Sequence, residues 1–525
     1  MEWVAAVLNG VLMTVVALRT LNFYQLNGYR LSGSKSLKKQ ALSEVCFGAL
    51  HVALCYFVYM ISAVRGYVYG GWFYMLFCVL GAVSYYFGHR KKEARTPLKI
   101  TKRCLRFIAA HTLISVAFSV ALVAAGRTLN TGGVSLAFAF LPLCYLLSPL
   151  VFALSAAAVY PVEQAVARIY TEGCEKALDA KTDLVRIGVT GSYGKTGVKN
   201  ILATFLSEKY KVYATPESYN TPMGICIAVN RMPADTQIFV AEMGAKRKGD
   251  ISRLCDIVKP VVAVVTGIAA QHLATFGSIQ NVIDTKAELP SYVAKAGGKS
   301  YFNTDNDYCK LMYRDAEGEK YRTGFGGECY AKEMSVSGEG SEFTLCFSGG
   351  EEVRCKTPLL GAHNVSNITL AAAVAYGMGV SPEQIAAAAG KLRPVPHRLQ
   401  IVENSAGITI IDDGYNSNEE GARAALRTLA AFKGRKIVAC QGLVEMGKAE
   451  RDANFALGRE IAFVADIAVL IGINADDMRE GALLAGMADG SIFVKRNLAE
   501  AQQLFAEIMR KGDVLLIEND LPDNY

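Results

Sequence analysis

The residues with the clearest chemical content form the run Thr190-Gly-Ser-Tyr-Gly-Lys-Thr196, set directly after a β-branched apolar stretch and before a helical pattern. In such a turn, backbone N–H groups and the positive end of the helix face an anion. A lysine there reaches the terminal phosphates, and a hydroxyl can bind Mg²⁺. Gly191, Ser192, Tyr193, Gly194, Lys195 and Thr196 are therefore the expected phosphate-binding residues of an ATP site. The full phosphate-loop pattern wants a glycine at position 189, where this chain has Val189, so the loop is a shortened variant.

Glu242, in Ala241-Glu-Met-Gly-Ala245, ends the next apolar strand. An acid at the carboxyl end of a parallel strand faces the ligand crevice of such sheets and could hold Mg²⁺; standing alone it would read as a helix cap. His272 follows another apolar strand on the same side, although a lone histidine is ordinarily a satisfied surface or core group. Lys286 falls in a helical pattern starting near Ser278, where a lysine is ordinarily solvated charge.

The elements that must position these groups are short β-branched runs alternating with helical segments. The expected strands are 184–189, 237–241, 261–266 and 299–302, then a glycine-rich β insert at 324–360. A second series follows, with strands expected at 408–411, 436–439, 466–471 and 514–517, after a Pro-containing hinge at Arg393-Pro-Val-Pro396. Strands alternating with helices imply parallel sheets covered on both faces, an α/β fold. The expected organisation is an apolar helical region over 1–160, a helical connector over 161–183, a phosphate-loop domain with parallel sheet over 184–395, and a Rossmann-like α/β domain over 396–525.

At this point the chain resembles the Mur ligases of peptidoglycan assembly, and within them the type that adds D-alanyl-D-alanine. The resemblance runs through Gly191-Ser-Tyr-Gly-Lys-Thr196, Asn220-Thr-Pro-Met-Gly224, Glu242-Met-Gly-Ala245, Thr266 to Gly277 and Thr285-Lys-Ala-Glu288. It continues through Asn303-Thr-Asp305, Gly361-Ala-His-Asn-Val-Ser-Asn367, Pro396-His-Arg398, Asp412-Asp-Gly-Tyr-Asn-Ser-Asn418 and Glu445-Met-Gly447, in the family's order. It implies an ATP-dependent ligase that activates an acceptor carboxylate as an acyl phosphate and joins it to an amine. The substrates implied are a muramoyl tripeptide and D-alanyl-D-alanine.

The resemblance also implies roles for single residues. Lys195 and Thr196 would hold the phosphates and, with Glu242, a first Mg²⁺. His272 would bind a second Mg²⁺, and Lys286 would be carbamylated, turning a cation into a metal-facing anion. On this reading Lys195, His272 and Lys286 are the catalytic set. Asn364 and Asn367 would lie near the nucleotide, Arg398 at its phosphates and Asp413 at its ribose, while Asn220, Thr221, Tyr415 and Asn416 would border substrate. In two places the chain departs from the type: apolar runs stand where the family grips the UDP end of the acceptor, and residues 517–525 lack the type's basic, serine-containing motif.

Composition accounts for the first of these departures. Hydrophobic residues make up 52% of the 525 and charged residues 20%, against about 25% charged in soluble domains. This excludes a disordered or fibrous chain. Up to Tyr160 there are 15 basic and 3 acidic residues, whereas the remainder carries a net −5, so the overall +7 belongs to the apolar part and does not describe a nucleic-acid-binding face.

Apolar runs at 3–18, 45–64, 66–88, 107–126 and 134–160 read as about five spans. The basic loops after the first and third would be cytoplasmic, which puts the N-terminus outside and the catalytic part in the cytoplasm at the plasma membrane. Glu2 stands where a signal peptide needs a basic region, which argues against cleavage. No CxxC pair occurs among the 13 cysteines, which agrees with a reducing compartment. Other readings are a Mur-like ligase acting on a lipid-linked muropeptide or a poly-γ-glutamate-type polymer, an ATPase-driven transporter, and an inactive scaffold. Intact Lys195, Glu242, His272 and Lys286 argue against the scaffold. The few polar groups in the runs, His51 and His111, argue against the transporter.

Overall fold

A computed structural model of the chain describes residues 2–31, 35–65, 76, 79–81, 85, 97–129, 140–141, 143–269, 273–402, 407–415, 419–444, 446 and 449–520. It divides into two compact units, one of the described residues up to Arg168 and one from Ile169 on.

In the first unit the apolar runs become α1 (Glu2–Leu26), α2 (Lys35–Arg65), α3 (Lys102–Thr128) and α4 (Ser148–Asp179), with a single turn at Leu143–Leu146 before α4. Of these, α1, α3 and α4 are long and apolar enough to cross a membrane. The run 45–64 lies within α2, and most of 66–88, like His51's side chain, lies outside the described residues. The helices α1 and α3 pack antiparallel. Glu2 pairs with Arg127 at 3.4 Å, Asn9 donates to Ser119 at 3.1 Å, Thr14 meets His111 at 3.2 Å, and Gln25 accepts from the Lys99 N–H at 2.9 Å. A Cβ on Gly10 would lie 2.5 Å from the Val116 backbone, so a small residue permits the close crossing.

The expectation that histidines are the main polar groups in these runs is corrected. Asn9, Thr14, Ser115, Ser119 and Ser148 within them are buried, as are Thr20 and Glu44 just outside them. Glu44 accepts from Thr20 and, at 3.3 Å, from Ser148. Hydropathy averaging passes over such residues because small hydroxyls and amides pair inside the bundle.

The second unit holds two sheets among the described residues. The first runs β2-β3-β1-β4-β5-β6-β7-β8-β9, and its strands are β1 (Val185–Thr190), β2 (Val212–Ala214), β3 (Ile238–Glu242), β4 (Val262–Val265), β5 (Lys299–Asn303), β6 (Glu319–Thr323), β7 (Cys329–Ser337), β8 (Gly340–Phe347) and β9 (Glu352–Thr357). Strands β1 to β6 pair in parallel. The glycine-rich insert forms β7 to β9, an antiparallel extension of the same sheet rather than a separate patch. Every residue of β3 and β4 is buried, as strands covered on both faces require.

The second sheet, ordered β10-β11-β15-β12-β13-β14, comprises β10 (Gln400–Val402), β11 (Thr409–Tyr415), β12 (Lys436–Cys440), β13 (Ile467–Ile471), β14 (Ile492–Lys495) and β15 (Val514–Asp520). It is parallel except for β10. The expected strands match to within a residue or two at most ends, whereas β2, β6, β10 and β14 escape the pattern because they are short or mostly polar. In the first sheet β1 lies between β3 and β4, so the loops leaving all three open at the same carboxyl edge. The thiols expected to be ordinary, Cys309, Cys329, Cys346 and Cys355, are buried and unpaired.

Candidate active site

The loop after β1 leads into α5 (Lys195–Leu206), whose buried Val198, Ile201, Leu202, Phe205 and Leu206 face the sheet at helical spacing. Gly194 stands at the helix N-cap with φ 78°, and its would-be Cβ lies 2.9 Å from Asn367 Oδ1, so only glycine fits this turn. The loop is stitched to the exit of β4. The Ser192 N–H donates to Gly267 O at 2.6 Å, the Ser192 hydroxyl to Ala269 O at 3.2 Å, and the Thr266 hydroxyl to Tyr193 O. Tyr193 accepts from Asn306 Nδ2 at 3.1 Å, and its ring stands where a Cβ on Gly267 would be. Ser192 and Tyr193 thus spend their side chains, the Ser192 N–H and the Tyr193 carbonyl on the scaffold that holds the loop. Lys195 turns back, its Nζ donating to Gly191 O at 2.8 Å and Ser192 O at 2.9 Å. Burial, opposed by Glu242, lowers its pKa to about 8.

Glu242 is the most fully satisfied charged group here. Its carboxylate is buried, accepting from Thr196 Oγ1 at 2.9 Å and Asn220 Nδ2 at 3.0 Å, with Lys199 Nζ at 3.3 Å. Lys199, one helical turn beyond Lys195, is equally buried and also donates to Glu217 O. Sequence reading missed Lys199, although its spacing of four from Lys195 was the available signal. Among the described residues no three His, Cys, Asp or Glu gather into a cluster. Thr196 and Glu242 instead supply two hard oxygen donors, a set that suits Mg²⁺ when phosphates and water complete its shell.

Lys286 is buried on α8 (Ile279–Lys295). Burial foremost, and then the charge of Lys195, lowers its pKa to about 7 against the pull of Asp250 and Glu288. Its ammonium makes no hydrogen bond or ion pair among the described residues. Glu288, two residues on, caps α7 (Asp250–Val258) by accepting from the N–H groups of Gly249 at 2.7 Å and Ser252 at 2.8 Å.

One cavity of about 570 Å³ joins the phosphate loop and Glu242 to the second sheet, and Lys286 is not part of its lining. Its lining includes Ser192, Tyr193, Gly194, Lys195, Thr196, Asn220, Glu242, Asn364, Asn367, Arg398 and Asp413, as well as the hinge residues Arg393 to Pro396. Asn364 and Asn367 lie on α9 (Ala362–Gly377), where Asn364 Nδ2 donates to Leu360 O at 2.8 Å. Asp413, on β11, accepts from the Leu399 N–H at 3.1 Å, and burial raises its pKa to about 6. His363, which sequence reading left inside the motif without a role, lines the same cavity. Its Nδ1 is buried without a hydrogen-bond partner among the described residues, and burial lowers its pKa to about 4, so it is a neutral imidazole.

Other expected residues fall elsewhere. Gly191 contributes its carbonyl to Lys195 rather than cavity surface. Thr221 caps α6 (Pro222–Asn230), accepting from the Gly224 N–H at 3.3 Å. Tyr415 ends β11, while its side chain, His272 and Asn416 lie outside the described residues.

Comparison with known proteins agrees with this arrangement. The Mur ligase middle-domain model matches residues 189–375, and the model described as Mur ligase, glutamate ligase domain matches 397–518. A Bacillus subtilis protein named UDP-N-acetylmuramoyl-tripeptide–D-alanyl-D-alanine ligase is 31% identical over 278 residues, 53% of this chain. The chain spans only 60% of that relative's length. A Mycobacterium bovis protein of the same name is 31% identical over 359 residues, 64% of this chain and 70% of that protein. Among solved structures, MurF from Acinetobacter baumannii superposes with a TM-score of 0.63 at 25% identity, over 68% of this chain and 78% of that one. MurF from Thermotoga maritima in complex with ADP has the same fold, with a TM-score of 0.59 at 24% identity over 67% of this chain and 80% of that one. On the phosphate-loop sheet, the second α/β domain and these matches together, the chain belongs to the Mur ligase family.

Proposed function

We propose that the chain is an ATP-dependent amide ligase of peptidoglycan precursor synthesis that activates an acceptor carboxylate as an acyl phosphate and joins it to an amine. The relatives' names support a muramoyl tripeptide as acceptor and D-alanyl-D-alanine as amine. The observation that carries this reading is the convergence of Lys195, Thr196, Glu242 and Asn220 with Asn367, Arg398 and Asp413 on one cavity.

A carboxylate is a poor electrophile, and conversion to a mixed anhydride supplies a leaving group for the amine to displace. The phosphate loop's N–H groups and Lys195 would neutralise the charge gathering on the transferred phosphoryl group. Asn364 and Asn367 would flank the nucleotide, Arg398 would reach its phosphates and Asp413 would accept from its ribose hydroxyls. Asn220 would hold the acceptor against Glu242. Two Mg²⁺ ions, when bound, would supply electrostatic stabilisation of the phosphoryl oxygens, one held by Thr196 and Glu242, the other by His272 and Lys286. Lys286 would serve as a carbamate: its neutral amine attacks CO₂, the N–C bond forms and one proton leaves. Closure about Pro394 to Pro396 would exclude water from the acyl phosphate.

We further read α1, α3 and α4 as membrane spans that keep the catalytic unit at the cytoplasmic face of the plasma membrane, where a lipid-linked acceptor is accessible. The length and apolarity of these helices favour that second reading of the substrate. The test is ADP and phosphate release by the full-length protein in detergent. Release should require both acceptor and amine, with UDP-linked and lipid-linked muropeptides compared by mass spectrometry. ATP turnover that needs no carboxylate acceptor would overturn the ligase reading.

A further inference from the structure

Directly after β3 the chain passes through Gly244-Ala-Lys-Arg-Lys-Gly249 into α7. The N–H groups of Lys246 and Arg247 both donate to Asp250 Oδ2, at 2.9 and 3.0 Å, while Glu288 takes the N–H groups of Gly249 and Ser252. Both carboxylates bonded to this turn are therefore engaged by main chain. The side chains of Lys246, Arg247 and Lys248 are exposed, and none makes an ion pair or hydrogen bond among the described residues. Lys391, on the lining of the same cavity, is by contrast neutralised by Glu208 at 2.7 Å.

Lys246 itself lines the cavity beside Asn220 and Glu242. The turn springs from the Asn220 side, since a Cβ on Gly244 would lie 2.7 Å from Asn220 Cγ. Lys195, the cation of the phosphate loop, instead folds back on Gly191 and Ser192. Asp250 and Glu288 keep their charge beneath the turn, but among the described residues neither pairs with the three exposed cationic side chains, and Lys246, on the cavity lining, attracts anions there.

We propose that Lys246, Arg247 and Lys248 form an anion-binding lip for the acceptor, gripping a second anionic group distinct from the carboxylate that is activated. The group is a carboxylate or a phosphate ester; what the lip recognises is its anionic oxygens. The inference rests on the ligase reading and adds to it which residues hold the acceptor's second anionic group.

The test compares the full-length protein with a variant carrying Lys246→Ala, Arg247→Ala and Lys248→Ala together, and with Arg247→Glu alone. KM is measured separately for acceptor and for ATP. The acceptors are a nucleoside-diphosphate-linked muropeptide, its lipid-diphosphate-linked counterpart and a phosphate-free muramoyl peptide, each with the non-reacting carboxylate free or amidated. The triple variant should raise the acceptor KM about tenfold or more, the scale of a charge-assisted contact. It should move the ATP KM less than about twofold and lose its effect in high salt. If amidation of the acceptor abolishes the difference between parent and variant, the anion is the carboxylate; if only removal of the phosphates does so, it is the phosphate. Equal acceptor KM values for parent and variant on every acceptor overturn the proposal, as does an equal rise for ATP. Failure of the ligase reading itself looks different: the parent would then show no acceptor-dependent ADP release at all. Because the three side chains are exposed, an unchanged melting curve verifies that the variant folds.

Discussion

The two buried corners of the site, around Glu242 and around Lys286, solve the same electrostatic problem in opposite ways. Glu242 is surrounded by Thr196, Asn220 and Lys199, so its charge is balanced before any ligand arrives. Lys286 is as thoroughly enclosed yet has no partner for its ammonium among the described residues, and its pKa falls to about 7. A buried charge without a partner costs stability, so the first corner is stable without a ligand and the second awaits a chemical change or a ligand.

The comparison can be broken most directly at the lysines. Lys195→Ala should lower kcat by on the order of 10²–10³ or more, the cost of removing a preorganised charge from a phosphoryl-transfer site, in an assay of ADP release. Lys199→Ala would leave Glu242 buried and under-balanced and should cost about 3–5 kcal/mol in unfolding free energy, as breaking a buried pair does. Lys286 should behave oppositely. Lys286→Met is expected to abolish ligation and yet raise the melting temperature near pH 6, because it removes an enclosed cation.

The pH dependence has a definite sign. The folded pKa of Lys286 lies below the unfolded value, so between about 7 and 10.5 the unfolded chain binds the extra proton, and this residue's contribution to stability rises with pH through that window. Parent and Lys286→Met melting curves should therefore converge as pH rises. If Lys286 acts as a carbamate, enzyme stripped of CO₂ at low pH should regain activity on adding bicarbonate, and the Met variant should not. A smaller effect is expected at Asp413, held at a pKa of about 6: the KM for ATP should rise as pH drops from 7 to 5 and its carboxylate is protonated. The smallest concerns Thr221→Ala, which removes a helix cap and should cost about 1 kcal/mol of stability with little change in acceptor KM.

Much of this was legible in the residues. Thr190 to Thr196 and Glu242 lie at the ends of mostly apolar strands, and apolar runs with glycine punctuation report directly on parallel strands and the turns that follow them. The cavity-lining role of Asn364, Asn367, Arg398 and Asp413 was reached only through family resemblance, since nothing local marks an asparagine on an alanine-rich helix as facing a ligand. Lys199 and His363 were missed because burial of a polar group depends on what packs against it from distant segments. Thr221 shows a second role beside the expected one: its hydroxyl caps α6, since a threonine before proline is also the ordinary way to start a helix. In the first unit, hydropathy located the helices but passed over Glu44, whose partners Thr20 and Ser148 lie on other helices.

The seam between the phosphate loop and the exit of β4 has a consequence for how this site could change over time. A Cβ on Gly191 would sit 2.1 Å from the Thr266 hydroxyl, and one on Gly267 would sit 2.5 Å from the Tyr193 ring. Neither position can accept even a methyl group without displacing the segment it touches. An inhibitor resting on the cavity face of this loop, at Ser192 to Gly194, would lean on a segment whose buried supports have almost no room for escape mutations.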